Sequence, residues 1–475
     1  MTLPDDLTNL SLTEATAAID YGSLTPLDLF DALRARIETF EPAIHAYLRY
    51  DLSAAETLAR QATDRARRGQ RLSPLDGLPF GVKDNIYTAR FATTAASAVP
   101  QTHDPALNAT LVAKLEAQGA ILIGKCNTWE YGTGTGHVRF DLPMPPAVNP
   151  WKAQHYTGGS SSGSAAAVAA GLASFAIGTD SGGSVRLPAA GCGVVGFKPT
   201  FGRISRHGIM PNTWSFDTPG PICATVADAA LIYDAIAGYD AADPSSLDAK
   251  APNASANLGA GIKGGRVGVV RNLAGPNGLP DSAILAALNE AEAALQAQGA
   301  QIVDVEMPVA PSEFRAIAGI LNWSECFTIH EADYQHHRHL MGRALREKLE
   351  AGMYVRAVDY LSAARERRRL VAAVDALFEQ VDVLLLPMTY RTAPHLQDTE
   401  AVRDFTTGSA GSPFSLTGHP AISVPAGLDA DGLPLAIQLA AGFCQDALLL
   451  QAAQALETAI DWRPRRAPLI AEVAL

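Results

Sequence analysis

Thr157-Gly158-Gly159-Ser160-Ser161-Ser162-Gly163-Ser164 is followed downstream by Gly178-Thr179-Asp180-Ser181-Gly182-Gly183-Ser184-Val185-Arg186. Glycines let the backbone enter φ > 0 and turn successive N–H groups toward one point. Such nests hold anions or developing oxyanions, and serines among them put hydroxyls at the same place. Gly/Ser clusters are ordinarily flexible loops. These two flank an apolar stretch, 165–178, built mostly from Ala and Gly, so they read as tight turns beside a packed, buried helix. Upstream, Gly77-Leu-Pro-Phe-Gly-Val-Lys83-Asp84-Asn85-Ile86 carries a lysine inside an apolar, strand-like run. A strand lysine ordinarily points to solvent. Facing a serine cluster, it would be a candidate neutral base.

Outward from this core, short apolar runs alternate with helical patterns. Strands are expected at 79–86, 120–124, 174–177, 266–271, 301–305, 381–386, 421–424 and 435–439. Helices are expected near 111–118, 164–173, 226–237, 282–298, 357–379 and 446–458. The alternation predicts an α/β fold with a central mixed, mostly parallel β-sheet covered on both faces by α-helices. The first 70 residues read as helical. Ser11-Leu-Thr-Glu14 is a capping box; Thr25-Pro26-Leu-Asp28 supplies a cap, a proline at the first helical position and an acid in the first turn. A third helix, rich in Ala and Arg, is expected over 52–68. Residues 240–265 are loop-like in composition and read as a surface loop within one domain spanning 1–475. That domain divides into an N-terminal helical segment (1–70), a core (70–240) and a C-terminal part (266–475) that returns to the same sheet.

The 475 residues are 48% hydrophobic and 18% charged, which excludes a disordered or collagen-like chain. The net charge, 37 − 49 = −12, argues against a nucleic-acid partner, which needs clustered Lys and Arg. Five scattered cysteines without a Cys-x-x-Cys pair fit free thiols in a reducing cytosol better than disulfides or zinc. The acidic start lacks a signal-peptide pattern, and no apolar run reaches the ~18 residues of a membrane span. A cytoplasmic protein with no membrane partner is therefore expected. His330, His336, His337 and His339 form the one histidine cluster, but Tyr334 stands where H-E-x-x-H needs its second histidine. The cluster reads as a polar helix face, and no metal is expected.

The Lys83 segment, the two Gly/Ser turns and Gly191-Cys-Gly-Val-Val-Gly-Phe-Lys-Pro-Thr-Phe-Gly-Arg-Ile-Ser-Arg-His-Gly208 together resemble the amidase signature family of serine hydrolases. His419-Pro-Ala-Ile-Ser-Val-Pro-Ala-Gly427 and Leu433-Pro-Leu-Ala-Ile-Gln438 match more loosely. One departure stands at Gly158-Gly159-Ser160-Ser161-Ser162-Gly163, where the family often has a glycine in place of Ser162. The resemblance implies the amidase signature fold and a Ser–Ser–Lys triad, with Ser184 as nucleophile. Ser160 would be the bridging serine on a cis peptide bond, and Lys83 the base. The N–H groups of Ser181, Gly182, Gly183 and Ser184 would form the oxyanion hole, and Asp180 and Arg186 would brace the turn. It implies hydrolysis of a C–N bond other than a peptide bond in a small amide, or of a carbamate or ester, with no cofactor.

The chemistry of the residues agrees. A lysine at its reference pKa of ~10.4 is protonated at neutral pH and cannot accept a proton. Burial lowers that pKa, and Phe80, Val82 and Ile86 are expected to supply apolar surroundings. A serine hydroxyl donates and accepts at once, so Ser160 can relay the proton. Trp129, Tyr131, Trp214, Phe414 and Ile437 lie in segments placed to line a substrate pocket, although each also reads as core. A pocket they lined would suit an aromatic or apolar substrate. A homodimer is compatible with these features.

Two other readings stand beside this one. Gly159-Ser160-Ser161-Ser162-Gly163 fits the G-x-S-x-G elbow of an α/β-hydrolase-type esterase, with Ser161 as nucleophile and His395 or His419 as base. That reading leaves residues 180–186 unexplained. The chain also resembles the glutaminase subunit of the tRNA-dependent amidotransferase, which passes ammonia to a partner. Asn212-Thr-Trp-Ser-Phe216 departs from the Ser-rich stretch expected there, which favours a stand-alone hydrolase.

Overall fold

The structure, a computed structural model, describes residues 3–101, 103–104, 106–134, 141–250, 253–274, 278–462 and 467. Its strands are β1 (Tyr47–Tyr50), β2 (Pro79–Lys83), β3 (Ile121–Cys126), β4 (Phe175–Asp180), β5 (Val195–Lys198), β6 (Thr218–Cys223), β7 (Arg266–Val270), β8 (Gln301–Val305), β9 (Val383–Pro387), β10 (Ala421–Leu428) and β11 (Pro434–Ala441). Its helices are α1 (Leu12–Tyr21), α2 (Pro26–Ile44), α3 (Leu52–Arg67), α4 (Thr110–Ala117), α5 (Ser162–Ala169), α6 (Arg186–Cys192), α7 (Val226–Ile236), α8 (Ser282–Ala297), α9 (Pro311–His337), α10 (Arg343–Met353), α11 (Ala357–Gln380), α12 (Thr399–Thr407), α13 (Ser412–Thr417) and α14 (Asp446–Ile460). Both expected capping boxes form: Ser11 with Glu14 opens α1, and Thr25 with Asp28 opens α2 behind Pro26.

All eleven strands join one mixed sheet in the order β1-β3-β2-β4-β6-β5-β10-β11-β9-β7-β8. The parallel pairs form two blocks, β3-β2-β4 and β9-β7-β8. The other six pairings are antiparallel. The sheet is mixed and helix-covered, as the alternation implies, but antiparallel pairs outnumber parallel ones where a mostly parallel sheet was expected. The reason is local: β1, β5 and β6 are short or proline-bearing strands that add antiparallel pairs.

Alternate strand residues face opposite sides of the sheet. Phe80, Val82, Phe175, Ile177, Ile437 and Leu439 enter the larger core, with apolar residues of α7, α8 and α14. Ala176 faces the other way, into a second core with Ala165–Ala170 and Ala189. The Ala-rich composition of 165–173 is what lets α5 pack this closely. The described residues of 240–265, namely 240–250 and 253–265, run over the surface between α7 and β7, with a short 3-10 turn at Ser255–Ala260 resting on α7 and α14. Among the described residues, no helix is long and apolar enough to cross a membrane.

Candidate active site

Lys83 ends β2, and every residue of that strand is buried. Its side chain projects to the face opposite Phe80 and Val82, so these two do not surround it, and Ile86 also lies in the larger core. The expected apolar neighbours are replaced by hydroxyls and backbone. Nζ is hydrogen-bonded to Ser160 Oγ at 2.7 Å and to Thr179 Oγ1 at 2.8 Å. Among the described residues, no carboxylate lies in salt-bridge contact with it. Burial pulls the Lys83 ammonium down to about 7, against the opposing pull of the Asp217 and Asp180 charges. The chain passes over Nζ at Gly132, whose φ of +67° suits glycine and where a Cβ would sit 3.2 Å from Asn85 Nδ2.

Ser160 is buried, and its hydroxyl donates to the Gly132 carbonyl at 2.6 Å. The Gly159–Ser160 bond is cis, as expected. Gly159 has no room for a side chain, because a Cβ would fall 2.3 Å from the Trp129 indole. Ser161 behaves differently. It is fully buried, and its Oγ sits 3.3 Å from both the carbonyl and the N–H of Thr179. Neither candidate histidine reaches it. His395 bonds to Gln154 Oε1, and His419 bonds to Asp375 and Thr417.

The turn from β4 into α6 is built on Asp180. Its carboxylate accepts the N–H of Gly183 at 2.8 Å and of Val185 at 3.2 Å, and takes a two-pronged contact from Arg186 at 3.0 and 2.9 Å. Burial pushes this carboxyl up, but the Arg186 charge and its hydrogen bonds hold it down to about 2. Arg186 is fully buried and reaches Gln438 Oε1 at 2.7 Å, the Gly411 carbonyl at 2.9 Å and Ser415 Oγ at 2.8 Å. These contacts tie the two residues to the turn and to one another. Of the four N–H groups expected in the oxyanion hole, that of Gly183 is committed to Asp180. Those of Ser181, Gly182 and Ser184 meet no acceptor among the described residues. Ser181 itself is anchored by its hydroxyl to Asp217, whose carboxyl is raised by burial.

Ser184, Ser181 and Gly182 open into a cleft of about 400 Å³, also lined by Trp129, Leu187, Asn212, Phe216, Arg315, Trp323 and Lys348. Only Trp129 of the five expected pocket residues lies there. Tyr131 is buried in a side cluster, with its hydroxyl donating to Asp333 at 2.8 Å. Phe414 and Ile437 are core residues. Trp214 is half exposed on a neighbouring cleft. For Tyr131, Phe414 and Ile437 the expected place failed because a buried aromatic or aliphatic residue satisfies the core as readily as a pocket. The residues that sequence reasoning missed are Thr179, the Gly132 carbonyl, Asp217, Gly411, Ser415 and the two cleft cations. Thr179 lies inside the quoted turn; the rest come from distant segments with no motif.

Among the described residues, no cluster of three or more His, Cys, Asp or Glu side chains could hold a metal ion. His330 departs from the solvated helix face expected of it: it is buried, with Nε2 3.0 Å from the Pro211 carbonyl.

The family model described as Amidase matches residues 28–450. The chain is 36% identical to the A-subunit of Glutamyl-tRNA(Gln) amidotransferase from Chloroflexus aggregans, over 98% of this chain and 99% of that one. It superposes with a TM-score of 0.87 and 31% identity on a structure from a vestigial protein complex tied to the evolutionary origins of an s-triazine catabolic enzyme, covering 94% and 98% of the two chains. The native peptide amidase of Stenotrophomonas maltophilia gives 0.83 and 30%, covering 97% and 98%.

Proposed function

The chain belongs to the Amidase (amidase signature) family, and on that premise we propose that it hydrolyses a carbon–nitrogen bond of a small amide through an acyl-enzyme on Ser184. The observation that carries this reading is a buried lysine poised near neutrality, 2.7 Å from the Ser160 hydroxyl, behind a cleft that Ser184 lines. Ser184 Oγ attacks the carbonyl carbon while its proton passes to Ser160 Oγ and the Ser160 proton passes to neutral Lys83 Nζ. For this the Ser160 hydroxyl turns away from the Gly132 carbonyl. The N–H groups of Ser181, Gly182 and Ser184 take up the oxyanion. Collapse breaks the C–N bond, and the proton returns from Lys83 through Ser160 to the leaving nitrogen. Water then attacks the ester by the same relay, freeing the carboxylate product and restoring Ser184. Carbamates and esters fit the same cycle.

The relatives that bear the name of an amidotransferase component support a second reading, in which the chain is the glutaminase part of a complex. The purified chain alone decides. A stand-alone hydrolase turns over simple amides without a partner, whereas a dependent component does not. Labelling with a fluorophosphonate tests the nucleophile. The adduct is expected on Ser184, and an adduct on Ser161 by peptide mass spectrometry would overturn the mechanism.

A further inference from the structure

Among the described residues, those lining the Ser184 cleft include two cations, Arg315 of α9 and Lys348 of α10, and no aspartate, glutamate or histidine. That is a one-sided wall in a chain of net charge −12. Neither cation is in salt-bridge contact with a carboxylate among the described residues; Asp217, the acid whose charge reaches Lys348, is hydrogen-bonded to Ser181. The Arg315 guanidinium makes one hydrogen bond, to the Thr406 carbonyl at 3.3 Å, although it carries five N–H donors. Lys348 is buried, and its Nζ meets only neutral oxygens, Thr133 Oγ1 and Asn212 Oδ1. Burial disfavours the charged form of each; at Lys348 the Cys326 and Asp217 charges oppose this and the Arg315 charge adds to it. Two neighbouring cations with no carboxylate in contact are costly. An incoming anion removes that cost, and Thr407, Asn322 and Ser312 add neutral polar groups along the same wall.

We propose that the substrate brings the missing anion: an amide that carries a carboxylate, held by Arg315 and Lys348 while its carbonyl lies at Ser184. An ammonium group would find no acid among the described lining residues, so a free α-amino acid such as glutamine is the poorer substrate. The proposal rests on the acyl-enzyme reading above and names its substrate class.

The test compares monoamides of straight-chain dicarboxylic acids with neutral alkyl amides of equal length, and with glutamine, using the full chain. The acid amides are expected to exceed their neutral counterparts in kcat/KM. In Arg315→Gln the acid-to-neutral ratio should fall about 10- to 100-fold, the worth of a charge-assisted hydrogen bond. The loss should appear mainly in KM, and Arg315→Lys should recover part of it. Lys348→Met should lower the same ratio. Because each ratio is taken within one protein, a change in folded fraction cancels. Equal turnover of acid and neutral amides, glutamine as the best substrate, or an unchanged ratio in both variants would overturn the proposal. Fluorophosphonate labelling of Ser184, with a neutral probe, separates the two claims: no label on Ser184 means that the acyl-enzyme reading has failed, whereas a label with no charge preference means that only the substrate class has.

Discussion

Lys83 reaches neutrality because burial outweighs two nearby carboxylates, and the sign of that balance makes definite demands on pH. Its unfolded value is the ordinary 10.5 and its folded value about 7. Amide turnover should therefore rise with pH through about 7 as the base loses its proton. Between 7 and 10.5 the unfolded chain binds the extra proton, so this residue makes stability rise with pH across that window. Lys83→Met removes both effects. It should cut acylation by ~10²–10⁴-fold. It should also be more stable than the parent, by a margin largest below pH 7 and closing toward pH 10.5. Denaturant titrations at several pH values check this; a margin that grows with pH would mean that Lys83 is charged in the fold. Ser161→Ala loses only a long contact to the Thr179 backbone, so it should keep substantial turnover, while Ser184→Ala should keep a trace. Lys83, Ser160 and Ser184 were legible because they sit in dense local patterns. Gly132 was not, since its contribution is a carbonyl oxygen, and every residue carries one. Asp217 was not, because only the fold brings it to Ser181.

The turn between β4 and α6 depends on one carboxylate serving two N–H groups and a buried guanidinium. Asp180→Asn keeps the size and one acceptor but leaves the Arg186 charge without its partner. Breaking such a buried pair costs about 3–5 kcal/mol, and the N–H groups that face the cleft would lose their aim. The urea midpoint should fall sharply and Ser184 labelling should slow; wild-type values of both would mean that the pair does not brace the turn. At this scale the sequence was readable where an element obeyed one rule throughout. All eight expected strands are present. Three others escaped. β1 and β5 have four residues each, and β6 carries Pro219 and Pro221, which ordinarily demote a strand to an edge. β6 is nonetheless interior, because β5 pairs only with Ile222 and Cys223 and its ladder stops short of the prolines. The long helix α9 was anticipated only at its end, as a polar helix face at residues 330–337, for a related reason. Its buried positions include Glu325 and His330, which interrupt the apolar period, and it deviates from helical geometry at His330. Glu325 is satisfied by Thr213, Ser215 and Tyr360 from other segments.

At the scale of the molecule, the sheet joins the two halves of the chain at a single seam. β5 of the first half pairs antiparallel with β10 of the second, through Ala421 opposite Lys198, Ile422 opposite Phe197 and Ser423 opposite Gly196. Arg186 crosses the same seam, from the nucleophile turn to Gln438 on β11 and to the Gly411 carbonyl before α13. The apolar core crosses it as well, since Phe80 and Phe175 belong to one continuous cluster with Leu439 and Leu450. Separating the halves would expose that cluster and strip three buried partners from a buried cation. The halves should therefore unfold together. Trp214, which lines a cleft of first-half residues, reports on the first half and Trp323 on the second, whereas Trp151 and Trp462 pack on each other across the halves. Guanidinium unfolding followed by tryptophan fluorescence in single-tryptophan variants from each half, and by far-ultraviolet circular dichroism, should give coincident midpoints. Gln438→Leu, which removes an acceptor of Arg186 and a donor to the Ala410 carbonyl, should lower every midpoint by the same amount. A first-half tryptophan that holds its native signal after a second-half one has lost it would show two folding units, with residues 240–265 as the linker between them rather than a loop within one domain.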